Sequence, residues 1–179
     1  MPTFPLNTAQ AVAWGSGCLP GVKVEGLRAS GVTRVGGRTM LEHIGGREWL
    51  KEFVRLFHAA ALADDLLGEM FAAGRPGHAE HLAAFLEEIM GGRQGYTEHH
   101  DGVRGLFRAH ANLRITEEQR TRFVTLMLAA ADEAGLPSDE RFRSALRARV
   151  EQGSMFSRNL SQPGAEPPSP WPPVGTWDW

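Results

Sequence analysis

Residues 96–120 read YTEHHDGVRGLFRAHANLRITEEQR. Val103 to Phe107 form a short apolar helix that leads to a histidine, His110. A loop from Ala111 to Ile115 follows. Thr116 then opens a strong helix, because its hydroxyl can cap the first turn and Gln119 can close a capping box. His110 therefore hangs from a short helix between longer apolar ones. That is where a helical bundle can present one imidazole to a flat cofactor. A lone histidine after an amphipathic turn is also an ordinary surface residue, so its position has to decide its role.

The flanking segments set the fold. From Arg47 to Ala63, Leu50, Phe53, Val54, Phe57, Ala60 and Ala61 recur at helical spacing with no internal Pro or Gly. Gly45-Gly46 breaks the chain before this helix. Asp64-Asp65 starts a tight corner that Leu66, Leu67, Met70 and Phe71 fold onto the core. Gly74-Arg75-Pro76-Gly77 is a breaker. A second helix spans about His78 to Met90, with Leu82, Phe85, Leu86 and Ile89 on one face, and Gly91-Gly92 ends it. The helix after Thr116 runs from Glu117 to Ala134 with Phe123, Leu126, Met127 and Ala130 as its stripe, and Gly135 stops it. Ser138 can cap a last helix, with Asp139 and Glu140 at its positive end. Phe142, Leu146 and Val150 carry that helix to about Leu160. These patterns predict an all-α fold. First helix with second, and fourth with fifth, cross to leave a slot between them.

Tyr96-Thr97-Glu98, His110 ahead of TEEQR, and the run FVTLMLAAADEAGLPSDERFRSAL from Phe123 resemble the truncated haemoglobins of group II. The resemblance runs from about His43 to Pro163. It implies a two-over-two helical sandwich around haem b, with His110 as the proximal iron ligand. It points His78 and His58 to the distal side. Phe57, Phe71, Leu82, Phe85, Leu106, Leu113, Ile115, Phe123 and Met127 would wall the pocket, although each serves equally well as plain core. His81, Tyr96 and Arg108 are the nearest candidates for the haem propionates. Without the resemblance, His78 reads as a solvated helix terminus, His81 as an exposed side chain and His58 as a satisfied core histidine.

The sequence departs from that family at two places. Phe123 stands where the fourth helix usually carries a Trp whose indole reaches the ligand. His58 stands where the first helix usually carries a Tyr hydroxyl. Phe71, at a corner that relatives fill with Phe or Tyr, adds no hydroxyl either. Imidazoles would take over the polar work. The implied function is binding of O2, NO or CO at a His-ligated iron. The alternative is a haem-dependent enzyme, peroxidase-like or acting on nitrogen oxides, using a distal His as acid and base and admitting a small organic substrate. A third reading is a cofactor-free helical interaction module. The resemblance also implies a reductase partner, which the sequence does not identify, and admits a homodimer.

Composition sets outer bounds. The chain has 179 residues, 42% apolar and 22% charged, which is ordinary for one globular domain. A formal net charge of −2 gives no electrostatic case for nucleic acid or an anionic membrane. The single cysteine, Cys18, cannot form a disulfide within the chain. No apolar run approaches the ~18 residues needed to span a bilayer. No secretory signal is evident, so the expected setting is the cytoplasm.

Three regions follow: residues 1–40, a globin domain over 41–160 and a tail over 161–179. The first is rich in Gly and Thr, with Val22-Lys23-Val24 and Val32-Thr33-Arg34-Val35 as weak strand candidates. It is either an extension lying on the domain or, in part, a translation start placed upstream of Met40. The tail holds six prolines and three tryptophans, all but Pro163 in PPSPWPPVGTWDW. It reads either as a PxxP ligand for a partner domain or as an extension packing its Trp rings on an apolar groove of its own domain or a second subunit. In the packed case it is expected to add stability without touching haem binding.

Overall fold

This computed structural model describes residues 37–74, 76–177 and 179. The strand candidates of residues 22–24 and 32–35 lie outside the described residues. Among the described residues every regular element is a helix. In chain order these are α1 (Met40–His43), α2 (Arg47–Leu62), α3 (Gly68–Ala72), α4 (His78–Ile89), α5 (Gly95–His100), α6 (Gly102–His110), α7 (Glu117–Glu133) and α8 (Glu140–Leu160). No helix among the described residues is long and apolar enough to cross a membrane.

The apolar stripes pair as the periodicity predicts. α2 packs on α4 and α7 on α8, and the two pairs meet where α2 crosses α7. Phe53 and Phe57 of α2, Ile89 of α4, Ala131 of α7, and Phe142 and Leu146 of α8 are completely buried there. Each such side chain removed from water contributes about 1.5–3 kcal/mol. On α7 the deepest residues are Val124, Met127, Ala130 and Ala131, while Phe123 and Leu126 are only partly buried against the core. The α7 start forms as expected. Thr116 Oγ1 accepts from the Gln119 N–H at 3.1 Å, and Gln119 Oε1 accepts from the Thr116 N–H at 3.0 Å.

Local chemistry corrects several boundaries. Asp139, not Ser138, caps α8: its carboxylate accepts the Phe142 N–H at 2.9 Å. A carboxylate at the positive helix end is worth more there than a hydroxyl. Asp64 makes the corner by accepting the N–H groups of Leu66 and Leu67 and a 2.6 Å bond from Arg122 Nε on α7. Of the four apolar residues expected to fold that corner onto the core, Leu67 alone is fully buried.

Two short helices were not expected. α1 has its own capping box, with Thr39 and Glu42 bonded reciprocally. α5 has no cap from its own N-cap residue Gln94. The buried Glu88 of α4 supplies one from outside, accepting the Thr97 N–H at 2.8 Å and the Thr97 hydroxyl. α6 ends at His110, as the sequence suggests, and starts at Gly102.

Beyond α8 the described residues form no helix or strand, but they pack on the domain. Trp177 is 3% exposed, and its N–H donates to the Ile89 carbonyl at 2.6 Å. The Trp179 ring lies 4.4 Å from that of His43. The packed reading of the tail is the one the fold adopts, and the surface it covers belongs to its own domain.

Candidate functional site

α2, α4 and α6 bring three histidines into one neighbourhood. His58 comes from mid-α2, His78 from the first turn of α4 and His110 from the end of α6. The His58 and His78 rings are 5.5 Å apart. Phe71 of α3 closes against both, at 5.8 Å from His58 and 5.1 Å from His78. Phe57 stands edge-on to Phe71 at 5.8 Å and to Phe123 at 5.0 Å. Two imidazoles thus sit in an aromatic wall built from α2, α3 and α7.

Their polar atoms are not satisfied by that wall. His58 Nε2 and His78 Nδ1 are buried with no hydrogen-bond partner. A buried polar nitrogen without a partner costs free energy and marks a place where something is missing or a function is stored. Burial first, and then the neighbouring His58, His110 and His81, push the His78 imidazole down to about 4. His78 is therefore neutral near pH 7, with one N–H to donate and one lone pair to offer.

His110 is arranged differently. Its Nδ1 lies 2.8 Å from the Leu106 carbonyl oxygen, one turn back in α6. A carbonyl only accepts, so Nδ1 carries the proton and Nε2 is left as a bare donor of a lone pair. That fixed tautomer is how a metal-binding imidazole is usually held. Burial lowers the affinity of His110 for a second proton, against the smaller opposing effect of the Leu106 bond. Neutral imidazole is the form that ligates a metal.

The remaining expected residues fall into three groups. Phe57 and Met127 are buried core, and Phe71, Leu82, Phe85 and Phe123 are partly buried against that core. Leu106 is buried on α6, outside that core cluster. Ile115 is half-buried, and Leu113 is 47% exposed at the loop after His110. At the rim, Tyr96 is buried with its ring 5.1 Å from Phe85, and His81 stacks 4.3 Å from His100. The Arg108 guanidinium is engaged by Asp101.

Sequence reasoning missed His100, which contacts both His81 and Tyr96. It also missed Glu88, whose carboxylate sets α5. A buried acid on a predicted apolar helix face was the signal available for Glu88. For His100 none was available, because α5 itself was not foreseen.

One imidazole with a bare Nε2, two imidazoles with an unsatisfied buried nitrogen each, and the Phe and Leu side chains around them fit a haem. The donor set suits iron in a porphyrin and no multi-ligand metal site. Among the described residues there is no group of three or more His, Cys, Asp or Glu able to hold an ion by itself.

The model of the bacterial-like globin family matches residues 39–154. Solved structures with the same fold include a haemoglobin from the thermophilic phototroph Chloroflexus aurantiacus, 32% identical, with a TM-score of 0.61 over 68% of this chain and 98% of that one. A truncated oxygen-avid haemoglobin from Bacillus subtilis is 28% identical, with a TM-score of 0.61 over 68% of this chain and all of that one. A group II truncated haemoglobin from Bacillus anthracis, at 24% identity, shares the fold with a TM-score of 0.62 over 68% and 92%. No curated protein matches the chain.

Proposed function

From its membership of the bacterial-like globin family, to which the chain belongs over most of its length, we propose that this protein binds haem b through His110 and takes O2, NO or CO. The observation that carries the reading is the Nδ1–H bond from His110 to the Leu106 carbonyl, which leaves Nε2 as the ligating atom. Haem, once bound, would supply an iron able to take a diatomic ligand. His110 would hold the group through Nε2. His78 and His58 would offer their unsatisfied nitrogens to the ligand. Phe123 and Phe71 exclude water there and donate nothing. Arg108 is engaged by Asp101, and His81 and Tyr96 are the other candidates for a propionate.

This proposal includes a reductase to keep the iron ferrous, a cytoplasmic setting and the option of a homodimer. Residues 1–40 and 161–179 are then extensions of a globin domain over 41–160. A second reading, turnover of peroxide or a nitrogen oxide, is favoured by one observation: the His58 and His78 rings lie 5.5 Å apart, and a pair of imidazoles can pass a proton to and from a ligand. The decisive experiment is the absorption spectrum of the purified protein and of His110→Ala. A Soret band in the first that is lost or sharply reduced in the second is expected. A wild-type ferrous spectrum in the variant overturns the assignment. Steady consumption of peroxide or nitrite would place the second reading first.

A further inference from the structure

The segment after His110 is held by the start of the tail. The Arg114 N–H donates to the Ser161 carbonyl at 2.9 Å, and the Ile115 N–H donates to Ser161 Oγ at 2.9 Å. Gln162 Nε2 returns a bond to the Ile115 carbonyl at 3.0 Å. Ser161 is completely buried, and its hydroxyl donates in turn to the Arg158 carbonyl of α8 at 2.6 Å. Asn112 and Arg114 both have left-handed backbone, at φ 64° and 56°. For Arg114 that conformation is unfavourable, and it persists because its neighbours over-determine it.

The tail then returns to α6. The Trp171 ring lies 5.7 Å from Phe107 and under the Arg104 guanidinium, which is 5.4 Å from its centre. Val174 reaches Gly102, where an added Cβ would be 3.6 Å from the Val174 methyl. Trp177 then ties the strand to the end of α4. The helix that ends in His110 is thus gripped along its flank by Trp171 and Val174, and just past its end by Ser161 and Gln162. No other part of the chain was expected to do this, and the tail was expected to leave haem binding untouched.

We propose that residues 161–174 are a clasp that positions α6, so that Ser161, Gln162 and Trp171 act as positioning residues for the His110 imidazole. The proposal rests on His110 being the iron ligand. A ligating imidazole also takes its orientation from what holds its backbone; loss of a direct partner of the imidazole weakens metal binding by about 10–100-fold, and contacts that act through α6 belong at the lower end of that range. Trp171 contacts α6 itself and Ser161 the loop just past its end, so each should move the same observable.

The experiment uses the full-length haem-loaded protein and four variants: Trp171→Ala, Ser161→Ala, Trp179→Ala and His110→Ala. Haem release to an acceptor apoglobin, the iron–histidine stretching band of the ferrous form by resonance Raman, and the melting temperature are measured on each. Trp171→Ala and Ser161→Ala are expected to release haem about tenfold faster and to shift the band. Trp179→Ala, whose ring lies on His43 and Phe142 away from α6, is expected to lower the melting temperature and leave the band in place. An unshifted band with wild-type haem release in Trp171→Ala overturns the clasp, whatever the melting temperature does. If Ser161→Ala does not fold, Trp171→Ala alone decides. A wild-type band in His110→Ala overturns the ligand assignment and the clasp with it. Its loss there, with Trp171→Ala unchanged, overturns the clasp alone.

Discussion

His78 and His58 are chemically alike and structurally unequal. His78 stands at the first residue of α4, and His58 in the middle of α2, so α4's start can shift more readily than α2's body. His78 is expected to make the main polar contact to a diatomic ligand. A hydrogen bond to a partly charged acceptor is worth roughly 1.5–3 kcal/mol, so His78→Leu should speed O2 dissociation about ten- to a hundredfold. His58→Leu should change it less. The reverse order of effects would move the distal role to α2, and no effect from either would leave an effectively apolar pocket. His78 also carries a signature in acid. Its folded affinity for a proton is pushed from 6.5 down to about 4 by burial, so the unfolded chain binds that proton more readily. The stability it contributes is complete above the ordinary histidine value and is lost as pH falls from about 6.5 towards 4. In the haem-free protein, His78→Leu should flatten the fall of melting temperature across that window. An unchanged slope would show that His78 is not buried in solution.

At the scale of elements, α5 and α6 meet so closely that only glycine fits. A Cβ on Gly105 would collide with the His100 carbonyl oxygen. That atom is backbone and cannot swing aside, so Gly105→Ala must push α6 away from α5. The expected result is faster haem loss and a drop in melting temperature of several degrees, since overpacking typically costs about 1–3 kcal/mol. A variant as stable and as haem-retentive as wild type would mean that the two helices slide without cost. The sequence announced the long helices but not this junction. α2 and α8 show an apolar face at every turn, and Thr116 with Gln119 marks the start of α7 outright. α5 reads GYTEHH, with Tyr96 as its one buried side chain, and no periodicity of 3.6 can appear in six residues. It exists because Glu88, seven residues before it, caps it in space. The same holds at the candidate site. The place of His110 at the end of α6 was legible in the sequence, and so was the aromatic wall from the stripes of α2 and α7. The Leu106 bond that fixes its tautomer and the hydrogen bonds at Ser161 depend on α6 reaching its full length and on where α8 delivers the chain.

For the molecule as a whole, the tail makes the first and last described segments neighbours. Trp179 lies between His43 of α1 and Phe142 of α8, and Arg141 donates to its carbonyl at 3.1 Å. Composition alone left two futures for PPSPWPPVGTWDW, because a proline-rich strand that packs and one that waits for a partner look the same on paper. Burial separates them. Trp177 is 3% exposed, whereas Trp49, on the outside of α2, is 49% exposed. Removing a buried Trp leaves a cavity and is expected to cost about 3–5 kcal/mol. Removing an exposed one costs far less. Denaturant unfolding of Trp177→Ala and Trp49→Ala therefore measures whether the tail is part of the domain in solution. Trp177→Ala should unfold at much lower denaturant than Trp49→Ala, with the slope of the transition unchanged. Equal midpoints for the two would mean that the tail leaves its groove, and would return the PxxP segment to the role of a ligand for another protein.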